Sequence, residues 1–494
     1  MDNNVVKVAI EASVAGVELD VHEATISLGI NAIPTVELSC APSEANRYKI
    51  NTFRPKIADF NDLYIKLKDK AWGKDKTCDV KFTITTDGPR SGRDSISLNG
   101  WILTGVGMSG VSSTSAPYLT VILQHKICWL TKVGSVYETP KSDEDCEIND
   151  ATRNCSDIID ALLSVYDCVK NKIDYWPAPN EVAENYRMSL GTDEFDPRKY
   201  LKWKGENGIY LAVEGGKDMK AELSMAIGRA LIPDENGTST WDVLVDAAGS
   251  LLLNIVQDQD NNFTKDTLLI EASRPWKAAE ITIYDDECHW TELPGMDPFR
   301  IAGIMCRRLG PGSFSMNQGT YRGGNPMVDP PDGEVMYTPE PMESPKLADG
   351  RIMKIPSPSI LEGAFARDAP HGDDIPGSEE DGEEEVQTGF KDVLTRYCRA
   401  VYENTAASRS CARLQRKLGF RDKNGKLILP GNTCVFKSDG KDIYYGYINN
   451  VVHHISISGG CGTAVAMSRV RSTPDFKING QTAIAYDSKN PAYD

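Results

Sequence analysis

The chain has 494 residues, of which 40 % are hydrophobic and 25 % charged, and its 71 acidic and 54 basic side chains leave a formal net charge of −17. This is the composition of an ordinary soluble protein with room for three or four domains. The acidic balance argues against a protein that clamps duplex nucleic acid, which would concentrate Lys and Arg.

No basic leader or apolar core opens "MDNNVVKVAI", so no secretory signal is expected. No run of eighteen apolar residues occurs either, so no membrane contact is expected. The sequons at Asn154, Asn236 and Asn262 then read as accidental. Twelve cysteines (40, 78, 128, 146, 155, 168, 288, 306, 398, 411, 434, 461) include no Cys-x-x-Cys pair, which predicts free thiols and no structural zinc.

Residues 1–145 read as β-rich. Val36 and Leu38 alternate with polar neighbours, as do Val80, Phe82 and Ile84, then Ile96 and Leu98, the Trp101 strand and Leu119 to Leu123. Gly88-Pro89 and Ser112 to Ser115 read as turns. Residues 146–309 read as mixed α and β. Ser156 can cap a helix whose apolar face runs from Ile158 to Val169, and Met219 to Leu231 marks a second, ended by Pro233. Ser239 with Asp242 resembles a capping box for a third, through Trp241 and Leu244. Leu252 to Val256 and Leu268 to Ile270 read as strands around a polar loop.

Residues 311–376 hold eleven of the 27 prolines. The stretch 310–389 is therefore expected to be an extended arm or linker without a core of its own, its second half dominated by the acidic run Asp373 to Glu385. Residues 390–475 begin with two predicted helices, one through Val393, Leu394, Tyr397 and Val401, the other through Cys411, Leu414 and Leu418 with Gly419 as C-cap. The β-domain that follows is the clearest signal. Alternation through Tyr445 and Tyr447 breaks at Gly459, Gly460 and Gly462 and resumes at Ala464 and Ala466, which predicts an antiparallel pair. Residues 476–494 read as a polar tail.

The phrase Gly100-Trp101-Ile102 followed by Val106 lines up with Gly446-Tyr447-Ile448 followed by Val451. Each phrase leads through a Gly/Ser-rich turn into a second strand, Leu119–Val121–Leu123 in one and Thr463–Val465–Met467 in the other. This predicts one small β-domain present twice, with Ile102, Val106, Ile448 and Val451 all buried.

Residues that could carry chemistry are few, and no catalytic, cofactor-binding or metal-ligating residue is assigned. Gly105 to Gly110 is a literal Gly-x-Gly-x-x-Gly, but strand sequence follows it where a dinucleotide needs a helix N-terminus, so it reads as a β-turn. His453 and His454 alternate faces on a predicted strand and cannot share a metal. His22, His125, His289 and His371 have no partner by spacing and read as surface or interface residues. Cys461 sits on a glycine turn between two strands, unlike a nucleophile elbow. The cluster Tyr284 to Trp290 mixes acids, His and aromatics but lacks a second carboxylate at a predictable distance; Asp193-Glu194 is ordinary for an acidic chain. The chain is expected not to be an enzyme and to need no cofactor.

The segment Leu429 to Arg471 resembles the end of baseplate hub proteins of phage tails and related contractile injection systems. The resemblance rests on Pro430-Gly431, Tyr444 to Tyr447, Val451 with His453 and Ile455, Gly459 to Gly462, and Thr463 to Arg471. "STWDVLVDAAGSLLLNIV" and Glu271 to Trp276 also resemble the middle region of hubs, while the 310–389 arm departs from the simplest of them. The resemblance implies an α+β, mainly β fold with two tube-type β-barrel domains. It implies a homotrimer that joins a six-fold tail tube to a three-fold central spike, and that meets tape measure and baseplate wedge proteins. DNA would pass through without specific binding, along a neutral to acidic bore. The setting implied is the virion tail, assembled in the bacterial host cytoplasm. A spike or fibre attachment protein, or a tail-associated cell-wall hydrolase, are the alternatives.

Overall fold

The computed structural model describes residues 4–41, 57–72, 77–87, 92–109, 118–131, 201–203, 239, 241–242, 245, 253–258, 267–272, 278–295, 301–307, 334–337, 351–356, 411–417, 419–457, 462–472, 474, 477–478 and 481–482. The predicted helices at 156–169, 219–231 and 393–401, the acidic run, Cys461, His371, Asp193-Glu194 and the turns at Gly88 and Ser112 lie outside them.

The fold is mainly β. Six strands open the chain: β1 (Asn4–Val14), β2 (Val17–Gly29), β3 (Thr35–Ala41), β4 (Thr77–Asp87), β5 (Gly92–Ser109) and β6 (Tyr118–Gln124). They pair in the order β1-β4-β5-β6-β3-β2, and β2 returns to β1 at Ala12↔Leu19, so the pairings close a ring. Period-2 alternation explains the interior: Ile26, Leu28, Val36, Leu38, Val80, Phe82, Ile96, Val121 and Leu123 are all buried. The helix α1 (Ile57–Trp72) between β3 and β4 lies against β5 and β6 and buries Leu67. The alternation in the sequence predicts only strands there.

Short strands follow. β7 (Leu201–Trp203), β8 (Leu253–Gln257) and β9 (Leu268–Ala272) form a three-stranded sheet, in which β8 and β9 match the two expected strands. The Asp242 amide donates to Ser239 Oγ at 3.2 Å, the predicted cap. β10 (Ile281–Tyr284) and β11 (Cys288–Gly295) are joined by a single turn of 3₁₀-helix, Asp285–Glu287. β12 (Ile301–Arg307) pairs with β13 (Glu334–Tyr337) and β14 (Arg351–Pro356), two strands inside the stretch expected to form no core of its own.

A second ring closes late in the chain. It uses β15 (Cys411–Arg416), β16 (Thr433–Ser438), β17 (Lys441–Ser456) and β18 (Gly462–Arg471). The order is β16-β17-β18-β15-β11, and β10 returns to β16 in parallel. The bent segment 281–295 thus completes a ring whose other strands lie some 120 residues downstream. Two further strands, β19 (Lys477–Ile478) and β20 (Gln481–Thr482), form a small hairpin.

β15 corrects the expected helix over Cys411 to Leu418. Ala412, Leu414 and Arg416 point inward with period 2, and the buried charge of Arg416 hid that period from a count of apolar residues. Gly419 does adopt the left-handed conformation expected of it (φ +91°), at a turn after a strand. Gly105 to Ser109 belongs to β5, a strand where a turn was expected. His125 is buried, against the expectation of a surface position, and meets Trp101 edge-on with ring centroids 6.0 Å apart.

Five strands of the two rings share one plan, while the sixth differs: β1 meets β4 antiparallel and β10 meets β16 in parallel. The series β2-β3-β6-β5-β4 matches β11-β15-β18-β17-β16 in order, and every successive pairing in both is antiparallel. The β-bulges coincide too. Thr104 is skipped between Leu103↔Leu123 and Gly105↔Ile122; Asn449 is skipped between Ile448↔Met467 and Asn450↔Ala466. His22 is skipped between Val21↔Cys40 and Glu23↔Ser39, as His289 is between Cys288↔Arg416 and Trp290↔Gln415. Such bulges are positional features of a fold and do not recur by composition. In this frame Val106 matches Val451, as the sequence phrase had it, but Leu103, and not Ile102, matches Ile448. The frame also superposes Thr77-Cys78 on Thr433-Cys434, a likeness the sequence phrase missed.

Candidate assembly surface

The polar clusters at the second ring are engaged in holding its chain segments. Arg416 is 3 % exposed and donates to the carbonyls of Gly419 (3.2 Å) and Arg421 (3.0 Å), with Glu287 at 3.4 Å. Lys423 reaches Asp286 at 2.8 Å and lies 3.8 Å over the Tyr284 ring. Asp422 accepts from the amides of Asn424 and Lys426, both at 2.9 Å, and of Thr282 at 3.2 Å. The suggestive segment Tyr284 to Trp290 is therefore the corner at which β10 becomes β11, with Asp286 and Glu287 tied to Lys423 and Asp285 to Ser438. Asp94 of β5 accepts from the Phe420 amide at 2.8 Å and pairs with Arg421, so the same loop fastens one ring to the other.

His453 is buried, and burial together with the nearby Arg416 charge pushes its pKa down to about 3. The Thr463 hydroxyl donates to the Gly419 carbonyl at 3.1 Å, which leaves an acceptor for His453 Nδ1 at 2.9 Å. A neutral imidazole fixed in this way serves packing, against the Phe420 ring at 5.0 Å, and is no proton shuttle near neutrality. Its neighbour His454 faces solvent, as alternation requires. Burial raises the Cys40 and Cys78 thiols to about 12 and Cys288 to about 11, away from the thiolate range a nucleophile uses. Among the described residues no cluster of three metal-ligating side chains occurs, and no helix is long and apolar enough to cross a membrane.

What the fold does present is strand edges. β2 divides one edge between β1, at residues 17–19, and β17, at residues 23–29. β17 likewise divides an edge between β16 and β2, so the second ring joins the first through seven residue pairs, Asn450↔Gly29 to Ser456↔Glu23. The seam is bounded by the Ile30 amide donating to the Asn449 carbonyl and the Ile457 amide donating to that of His22, each at 3.0 Å. Antiparallel geometry then turns the peptide groups of Val451, His453 and Ile455 toward those of Leu28, Ile26 and Ala24. Asn31, with φ 55°, ties β8 to this seam: its amide donates to the Ile255 carbonyl at 2.9 Å and its Oδ1 accepts from the Ile255 amide at 2.7 Å. Asn254 Nδ2 donates to Tyr447 OH at 3.1 Å.

Among the described residues several edges are left over, two of them on β5 and β11. β4 pairs β5 only as far as Ile102, so among the described residues no strand covers that edge from Leu103 to Ser109. Among the described residues β11 pairs with β15 on one side and with no strand on the other. Met108 on the first edge is 36 % exposed and Trp290 on the second 53 %.

No family model matches the chain, and no curated protein does. Solved structures with a similar chain trace include a tail protein from Neisseria meningitidis MC58, at 11 % identity and TM-score 0.46, covering 94 % of this chain and 96 % of that one. The 43 kDa tail protein of prophage MuSo2 from Shewanella oneidensis gives 11 % identity and TM-score 0.41 over 94 % and 100 % of the two chains. The E. coli c3393 protein, a type VI secretion component, gives 7 % identity and TM-score 0.34 over 92 % and 76 %.

Proposed function

We propose that the chain is a structural, non-catalytic protein of a phage tail, and that it acts there as a trimeric hub. The observation that carries this reading is the repeated strand plan: two equivalent β-rings in one chain, joined edge to edge through β2 and β17. A chain with two copies of one module gives a trimer six similar surfaces, which is what a part set between a six-fold tube and a three-fold spike needs. The resemblance of Leu429 to Arg471 to hub proteins supports the same role. In that setting the tail tube protein, central spike, tape measure and baseplate wedges are its partners in the virion, after assembly in the host cytoplasm. DNA passes a bore that is neutral to acidic, since phosphate must slide and clustered Lys or Arg would hold it.

Native mass spectrometry of the purified chain tests the reading. A species of three 54.3 kDa chains is expected. A chain that stays monomeric at micromolar concentration contradicts it.

A further inference from the structure

We infer that residues 296–410 are an insertion into the second ring, standing where the first ring has only the short connection 28–34, and that the second ring closes without them. Strand order along the chain supports this first. The equivalent series β2, β3, β4, β5, β6 and β11, β15, β16, β17, β18 each follow one another in sequence, so the connections between the strands can be matched as well. Register then places the insertion. Beyond the shared bulge, Glu23↔Ser39, Ala24↔Leu38 and Thr25↔Glu37 correspond to Trp290↔Gln415, Thr291↔Leu414 and Glu292↔Arg413. The last pairs are Ser27↔Thr35 in the first ring and Gly295↔Cys411 in the second, with β11 carrying one extra residue before its last pair. Residues 28–34 join that pair in one ring and residues 296–410 in the other.

Cross-strand geometry makes the insertion separable. Residues opposite one another on antiparallel strands stand about 5 Å apart at Cα, so the chain leaves β11 at Gly295 and returns at Cys411 to nearly the same point. Closing that gap moves neither strand, since a two-residue turn spans it in an ordinary hairpin. Inside the insertion, β12, β13 and β14 pair with one another, and among the described residues none of them pairs with a strand of either ring. The strands that close the second ring, β10, β11 and β15 to β18, all lie outside it. The insertion therefore gives the two rings of one chain different surfaces at one equivalent place, and any contact it makes with another protein is separable from ring closure.

The inference does not rest on the proposed hub role, and two experiments test it. In the full chain, Gly295→Cys places a thiol opposite the native Cys411, which is exposed. Opposite residues of a strand pair have the Cα separation that a disulfide needs. A link between the two is expected in high yield under mild oxidation, identified by peptide mass, with the thermal transition of the chain undiminished. Thr291→Cys, whose partner is Leu414, is the out-of-register control and should give no link to Cys411. In the second experiment residues 296–410 are replaced by a copy of 28–34 in one variant and by Asn-Gly in another. Hydrogen-exchange protection at β15 to β18 is expected to stay within about tenfold of that in the full chain in at least one of the two. A Gly295→Cys chain that gives no link to Cys411 overturns the inference, because the ends of the insertion then do not meet. Loss of protection at β15 to β18 in both replacement variants overturns it as well. Protection kept in a variant while the full chain stays monomeric supports the insertion and overturns the hub instead.

Discussion

His22 and His289 occupy the same place in two equivalent β-bulges, each the extra residue that the facing strand does not match. Neither touches chemistry; each sets the phase of its strand. Deleting His22 moves Val17, Leu19 and Val21 from the interior to solvent, because a one-residue slip reverses every side chain. The expected loss is on the order of 5 kcal/mol for three buried aliphatics. His22→Ala, which keeps the bulge, is expected to cost less than about 1 kcal/mol. Urea unfolding of the two variants reads the difference, and a deletion as mild as the substitution would show that the bulge does not set the register.

Arg416 is the buried charge on which the second ring closes. Arg416→Met leaves Glu287 with Lys423 alone, at 3.5 Å, and the Gly419 carbonyl with the Thr463 hydroxyl alone, and it removes the guanidinium from the Arg421 carbonyl. About 3 kcal/mol of stability should be lost. The exposed pair Lys81–Glu11, at 3.6 Å, is the control: Lys81→Ala should change stability by less than about 0.5 kcal/mol. Equal effects in denaturant melts would deny Arg416 its role.

The alternating strands β2, β3, β4, β6, β17 and β18 were legible because one face of each is apolar and the other polar, and alternation reads that directly. β15 was not, since its inward positions include Arg416, and Cys411, Leu414 and Leu418 mimic helical spacing. α1 was missed among strands although Ile57, Phe60, Leu63, Tyr64 and Leu67 follow a helical period. The closure of the second ring by β10 and β11 could not be read locally at all. It depends on pairings between distant parts of the chain, such as Gly295 with Cys411 and Ile281 with Cys434, which leave no periodic trace. The duplicated phrase found the right strands and one right pair, Val106 with Val451, but its first half lies one residue out of the strand frame, in which Leu103 matches Ile448.

Burial holds the His453 pKa at about 3 in the folded chain, against 6.5 for an ordinary histidine. The unfolded chain therefore takes up a proton as pH falls below 6.5 while the folded chain does not. Stability is fully present above 6.5 and is lost as pH drops toward 3, by at most about 1.4 kcal/mol per pH unit. His453→Gln should flatten that part of the stability–pH curve, measured by denaturant midpoints at pH 7, 6, 5 and 4. An unchanged slope would mean that His453 is not the group responsible.

Gly446 has no room for a side chain. A Cβ there would lie 3.0 Å from Met467 Sδ and 3.1 Å from its Cβ. Gly446→Ala is expected to destabilise by about 1–3 kcal/mol, as overpacking does. At Gly107 nothing lies within 4 Å, so Gly107→Ala should leave the thermal midpoint within a degree or two. Calorimetry of both variants checks the contrast.

The central claim is that two equivalent rings per chain build one channel from three chains. Averaged electron micrographs of the purified assembly, viewed down its axis, test it most directly. An open ring of six similar lobes in two alternating kinds, with true three-fold symmetry, is expected. A compact particle without an axial opening, or a ring whose lobes do not alternate, would contradict it.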